Sequence, residues 1–282
     1  MGTFKTNLRV FFSNKLGVIG VICLVMFICL AIFADDLAPY DPYERVGRPF
    51  QAPSGEHWLG TNDVGHDILS EVIVGTRISL LIGVSSAFVA IVIGTLIGLS
   101  SGYFGGYIDA ILMRIVDVFL TVPMLPIMIL IAVFLGPSFW NIIIVIGVLS
   151  WASTARVIRS QVLTVKNRGY IEAVNVLGGK PFYTIFRHIL PPTFSIIISE
   201  LIIVSSRAVL LESSLSFLGL GDPTQKSWGI IVYYAQARSA FLTNAWLWWI
   251  LPPGILVTLL VVSFSYVGNA LEQVVNPRLR RK

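Results

Sequence analysis

Charge is scarce in this chain. Asp, Glu, Lys and Arg make up 12% of its 282 residues, against about 25% in an ordinary soluble domain. With 55% of the residues apolar, too few polar side chains remain to clothe a water-exposed globule of this size. Low-complexity polar tracts are also missing, and Leu, Ile, Val and Phe are abundant, which excludes intrinsic disorder. Cysteine is nearly absent. Cys23 and Cys29 share one apolar run and would lie roughly 9 Å apart along a helix, too far to bridge each other and wrongly spaced for a metal. Catalytic motifs are lacking as well. Gly178-Gly179-Lys180 runs into Pro181 where a phosphate loop needs Ser or Thr for magnesium, and neither His-Glu-x-x-His nor Gly-x-Ser-x-Gly occurs. His57, His66 and His188 are too scattered for a metal site. No enzyme site is expected.

What the chain does have is long apolar runs, so the solvent for most of it is lipid. Unpaired backbone amides are prohibitively costly in hydrocarbon, and each run of about 20 apolar residues therefore reads as a membrane-crossing helix. The expectation is an all-α integral membrane protein with six transmembrane helices, at about Leu16–Ala34, Ile78–Gly102, Asp117–Leu135, Phe139–Val157, Pro192–Leu215 and Trp246–Ala270. Trp246, Trp248 and Trp249 suit an interfacial belt. The first run resembles the core of a signal peptide but is too long, and Ile32 stands where a cleavage after Ala34 wants a small residue; it reads as an uncleaved anchor.

Orientation follows from the basic residues. With the amino terminus inside, the inner segments collect fourteen of the twenty Lys and Arg residues, among them Arg114, Arg156, Arg159, Lys166, Arg168 and Arg187. The first outer loop holds Asp35, Asp36, Asp41, Glu44, Glu56, Asp63, Asp67 and Glu71. Both termini are expected to be cytoplasmic. The net charge of +5 is therefore a topology signal, and no basic stripe interleaved with aromatic platforms suggests nucleic acid.

One inner segment, 156–190, is too long for a turn and too patterned for a linker. Tyr170 to Leu177 is helix-compatible, and Gly178-Gly179 supplies a left-handed stop. Pro181 fits the first turn of a second short helix, and Pro191-Pro192 opens the next span. Ile171, Val174 and Leu177 recur at spacings of three and predict one apolar stripe. Physics alone leaves two readings open: the short helix docks into another protein, or it lies on the lipid headgroups.

Glu172-Ala173, then Gly178, then Leu190-Pro191 resemble the "EAA" signature of the permease subunits of bacterial ATP-driven (ABC) importers, with Val174 at the third position instead of Ala. The likeness continues along the chain and narrows to the dipeptide, oligopeptide and nickel importer permeases. Ala38-Pro39-Tyr40-Asp41-Pro42, the stretch His57 to Ser70, Gly75 to Leu80, Gly102 to Asp109, Leu215 to Gly221 with Ser227-Trp228-Gly229, and Asn276 to Arg280 are similar to that group's segments in order. Asn62, His66 and Asp222 depart from it.

The resemblance implies a type I ABC importer permease fold that translocates di- or oligopeptides, or alternatively nickel or a metal chelate. It implies a second permease subunit, two ATP-binding subunits that hold ATP and Mg, and an extracytoplasmic substrate-binding protein, in a bacterial cytoplasmic membrane. It also makes Glu172, Ala173, Val174, Leu177, Gly178, Leu190 and Pro191 the ATPase-coupling segment, with no cofactor in this chain.

Ionisable residues within spans are costly unless they face protein or water. Glu200 and Arg207 lie two helical turns apart on one face, about 10 Å along the axis, with Glu212 near the outer end. They line a translocation path meeting both ends of a zwitterionic peptide, or they contact the partner permease. Gly83, Gly94 and Gly98 with Ala87, Ala90 and Ser101 suit close helix packing, and Pro123 and Pro126 should kink the third span. The segment Ser216–Ala245, carrying Tyr233, Tyr234, Gln236, Arg238 and Phe241, forms with the acidic first loop either a landing surface for the binding protein or a re-entrant cap.

The domain reading is a 1–15 inner segment, the first helix at 16–34, an outer loop at 35–77, a five-helix core at 78–270 containing 156–190, and a basic tail at 271–282. The rival classes are a self-powered secondary transporter, for which no internal repeat is visible, and a membrane scaffold, which the charged fifth span disfavours.

Overall fold

A computed structural model describes residues 11–275. Among the described residues the regular structure is helical, apart from one isolated bridge between Thr61 and Asp67. The main helices are α1 (Lys15–Ile32), α2 (Ile68–Phe104), α3 (Gly106–Thr121), α4 (Met124–Leu135), α5 (Phe139–Lys166), α6 (Gly169–Val176), α7 (Leu190–Phe217), α8 (Trp228–Ala237) and α9 (Leu251–Val275). Five helical stretches are long and apolar enough to cross a bilayer, and α3 with α4 makes a sixth if that bent pair counts as one crossing. The all-α, six-span reading stands in that form.

Three elements differ from the hydropathy reading. α2 starts at Ile68 rather than Ile78, because Asp67 caps it: its Oδ2 accepts from the Ser70 amide at 2.9 Å. At 37 residues it is about 55 Å long and overruns a hydrocarbon core of about 30 Å. The third span is a break rather than a kink, with α3 and α4 meeting at 88°. Val122 is extended there, as a residue before proline prefers, and Pro123 has no amide with which to continue the helix. The fifth span reaches back to Pro181, since the second short helix fuses with α7 through a π-helical turn at Ile185–Ile189.

Lipid gives helices no hydrophobic reason to associate, so close van der Waals packing must hold them together. The small residues of α2 provide it. A methyl group added to Gly94 would sit 2.8 Å from Thr154, and one added to Gly102 would sit 2.7 Å from Val162, both on α5. Ala87, Ala90 and Ser101 are fully buried. α1 leans on α9 in the same way, with Asn14 capping α1 and donating to Gln273 Oε1 at 3.1 Å. Arg77 of α2 closes the other end of α1 by donating to the Ala31 carbonyl at 2.8 Å and pairing with Asp35 at 3.0 Å, a favourable place for a cation. Ile19, Ile22, Val25 and Ile28 are exposed on α1, as a helix bathed in lipid allows.

The polar segments gather at two ends. Residues 33–67 meet 218–250 at an acidic end, through contacts such as Tyr43 with Thr224 and Phe50 with Trp249. The α2–α3 corner meets 156–190 at a basic end.

Candidate functional site

At the basic end, α5 runs on to Lys166 and is pinned to the α2–α3 corner. Asp109 receives both arms of the Arg159 guanidinium at 2.5 Å and the Ser101 hydroxyl, Lys166 donates to the Tyr103 carbonyl at 2.6 Å, and Arg156 pairs with Asp117 at 2.6 Å. On this base stands α6. Its stop is the expected one. Gly178 has φ +79°, and the Gly179 amide reaches back to the Val174 carbonyl at 2.9 Å, the geometry that glycine alone adopts without strain.

The apolar stripe expected on Ile171, Val174 and Leu177 is split. Ile171 is fully buried against Ile158, Val162, Val165, Ile185 and Ile189, Val174 is half-buried, and Leu177 is 87% exposed. The unpartnered apolar surface lies instead around the glycine stop, on Val176, Leu177, Phe182, Tyr183 and Phe186. Spacing within one helix could not reveal it, because the fold supplies half of this tip from the strand of chain beyond Pro181. Glu172, Ala173 and Gly178 are exposed on the same projection, while Leu190 is half-buried where α7 begins.

Pro191 and Pro192 shape the stem of the projection. Neither can donate to the carbonyls one turn back, and the turn widens so that the Leu190 amide reaches the Ile185 carbonyl. Thr193 Oγ1 then donates to the Ile189 carbonyl at 2.7 Å.

The three ionisable residues of α7 do not form one row. Glu200 is half-buried and Arg207 is exposed, on one face and with no ion pair between them among the described residues. Glu212 is fully buried and accepts from the Ser216 hydroxyl at 2.8 Å and the Ser213 hydroxyl at 3.3 Å. These bonds hold its carboxyl inside the chain, away from the exposed face that carries Arg207.

At the acidic end, much of the acidity of the first loop is spent internally. Asp67 accepts from His57 Nδ1 at 2.9 Å. Glu71, only 2% exposed, takes Lys226 Nζ at 2.6 Å and Asn62 Nδ2 at 2.9 Å, with His66 Nδ1 at 3.4 Å. Asp63 pairs with Arg238 at 3.1 Å. Asn62, Asp63, His66, Glu71, Lys226 and Arg238 line a cavity of about 380 Å³ with Tyr43; burial pushes the Tyr43 phenol above its ordinary value, against the pull of Lys226. Asp35, Asp36, Asp41, Glu44 and Glu56 remain exposed, as do Gln236, Arg238 and Phe241.

Two of the three departures from the resembled pattern, Asn62 and His66, sit in this network, and the third, Asp222, caps α5. Its Oδ2 accepts from the Phe139 amide at 3.0 Å and its Oδ1 from Thr224. Burial pushes the Asp222 carboxyl up, but the bonds from Thr224 and Phe139 outweigh it and hold it below the usual carboxylate range.

The molecule thus carries a projection with an exposed apolar tip at one end, a charged α7 face in the middle and an ion-paired junction at the other. Residues 91–281 match the family described as binding-protein-dependent transport system inner membrane component. This chain belongs to that family. Residues 3–53 of the permease also match the N-terminal membrane domain of oligopeptide transport permease C. It is 34% identical over 271 residues to the dipeptide transport system permease protein DppC of Bacillus subtilis, covering 95% of this chain and 84% of that one. To the oligopeptide transport system permease protein OppC of the same organism it is 35% identical over 284 residues, 100% of this chain and 92% of the other. The glutathione transport system permease protein GsiD of Pectobacterium atrosepticum is 32% identical over 275 residues, 96% and 90% of the two chains. The permease is a multi-pass membrane subunit of a bacterial ABC importer.

Proposed function

We propose that this permease carries di- or oligopeptides inward across the cytoplasmic membrane, with both termini and the 156–190 segment on the cytoplasmic side. It works with a second permease subunit, two ATPase subunits that bind ATP and Mg, and an extracytoplasmic binding protein that lands on the acidic end. The names of the dipeptide, oligopeptide and glutathione permeases support a peptide cargo over nickel. Glu172, Ala173, Val174, Leu177, Gly178, Leu190 and Pro191 form the coupling segment. Closure of the ATPases on ATP pulls this segment and turns the cavity from inward-facing to outward-facing, where it receives the peptide. Glu200 and Arg207 belong to the polar path between the two permeases.

The carrying observation is the exposed apolar tip, with Val176 83%, Leu177 87% and Phe182 74% exposed beside the Gly178 stop. An apolar cluster held out from the bundle on a rigid stem needs a partner groove. The test is Leu177→Asp in the complete importer in proteoliposomes. A carboxylate forced into an apolar contact should cut ATP-driven dipeptide uptake by more than about tenfold and weaken copurification of the ATPase subunits. Unchanged uptake together with unchanged copurification would overturn the coupling role.

A further inference from the structure

Arg207 marks which face of α7 is dry of lipid. It is exposed on the isolated chain, deep within a membrane helix. A guanidinium in hydrocarbon is strongly disfavoured, so its face must meet water or another protein chain. Ser214 and Leu218 lie within about 20° of Arg207 around the helix, seven and eleven residues on. They border a groove of about 350 Å³ between α7, α8 and α9, at the lower end of the range of small-ligand pockets, about 300–1,000 Å³. One edge of this groove, at Ser214 and Leu218, therefore lies on the Arg207 face of α7.

Its chemistry is apolar. Leu210, Phe217, Leu218, Val232 and Val257 line it together with Gly254. The two serines present are already engaged: Ser214 Oγ donates to the Leu210 carbonyl at 2.7 Å, and Ser213 Oγ to Glu212 Oε2 at 3.3 Å. The groove lining carries no charged side chain, whereas Arg207, which has no ion pair among the described residues, lies about one helical turn before Leu210.

Resting on the peptide-importer reading, we infer that the groove receives an apolar side chain of the peptide in transit, while Arg207 holds the peptide's C-terminal carboxylate. The lengths agree. Leu210 lies about 4.5 Å and Phe217 about 15 Å along the axis from Arg207, and an extended peptide advances about 3.3–3.6 Å per residue. Side chains about one to four residues from the carboxylate then fall beside the groove.

Gly254 is the position from which to narrow the groove, because a Cβ there would meet nothing within 4 Å. The experiment uses the complete importer with its binding protein in proteoliposomes and measures uptake of glycylglycine and leucyl-leucine by wild type, Gly254→Ala and Gly254→Leu. Comparing each variant with wild type cancels the preference of the binding protein. In Gly254→Leu the ratio of leucyl-leucine to glycylglycine uptake should fall by about tenfold or more, with Gly254→Ala between. Equal loss of both peptides, or no change in either, overturns the groove assignment while leaving peptide import intact. A wild-type complex that imports neither peptide overturns the peptide reading and this inference with it.

Discussion

Glu71 is a carboxylate almost wholly withdrawn from water, and Lys226 Nζ at 2.6 Å is what makes that tolerable. Removing one partner of such a pair costs more than the pair itself contributes, because the other charge stays buried alone. Lys226→Met should therefore destabilise the protein by about 3 kcal/mol, while the double variant Glu71→Gln with Lys226→Met should recover most of the loss. Thermal unfolding of the detergent-solubilised complex measures both, and a double variant no better than the single one would show that the pair is not the source. The sequence contained only half of this junction. The Asp67-Ile68-Leu69-Ser70 helix start was legible as local chemistry, although the hydropathy window passed over it because Glu71 and Arg77 interrupt the apolar run. The partnership of Glu71 with Lys226 was not legible, since 155 residues separate them and nothing local in either segment names the other. Glu212 is a different case: its donors Ser213 and Ser216 are local on α7, whereas its complete burial comes from packing that one helix's sequence does not show.

At the scale of elements, proline was read correctly as punctuation and wrongly as to kind. Pro123 breaks the third span completely, whereas Pro191 and Pro192 stand in the first turn of α7 as expected, and the chain before them runs into that helix through the wider π turn. A π turn holds one more residue than an α turn, so it sets the rotation of everything beyond it by about 100°. The proposed coupling segment hangs on that turn. Replacing both prolines with alanine restores the two missing donors and favours a regular α-helix, which would swing Phe182 and Phe186 away from Leu177. The expected outcome is an unchanged or higher unfolding temperature, continued ATP hydrolysis by the reconstituted complex, and a severalfold fall in peptide uptake. Uptake equal to wild type would show that the wide turn has no part in coupling. The apolar tip was invisible to helix periodicity for a related reason: it is assembled from two segments either side of Gly178, and only the fold brings them together.

At the scale of the whole molecule, charge divides the bundle into two unlike ends. Arg156 and Arg159 are ion-paired within the fold and Lys166 is held by the Tyr103 carbonyl, so the first two add little to the finished protein's field. Their effect belongs to insertion, when the pairs have not formed and basic loops resist translocation. Charge counting therefore speaks to orientation even though the folded structure ion-pairs part of that charge, which is why a sequence with no structure attached already yields a prediction. The prediction is made in a background where Cys23 and Cys29 are replaced by alanine; Cys23 is half-buried and Cys29 exposed on α1. In intact cells a membrane-impermeant maleimide should label Trp58→Cys, which is 72% exposed at the acidic end, and should spare Leu177→Cys at the basic end. In inside-out vesicles the pattern should reverse. Nucleotide is available on the cytoplasmic side only, so labelling of Leu177→Cys from outside would remove the apolar tip from any ATPase. Coupling through α6 would then fail along with the orientation, whatever the affinity of the tip for a groove.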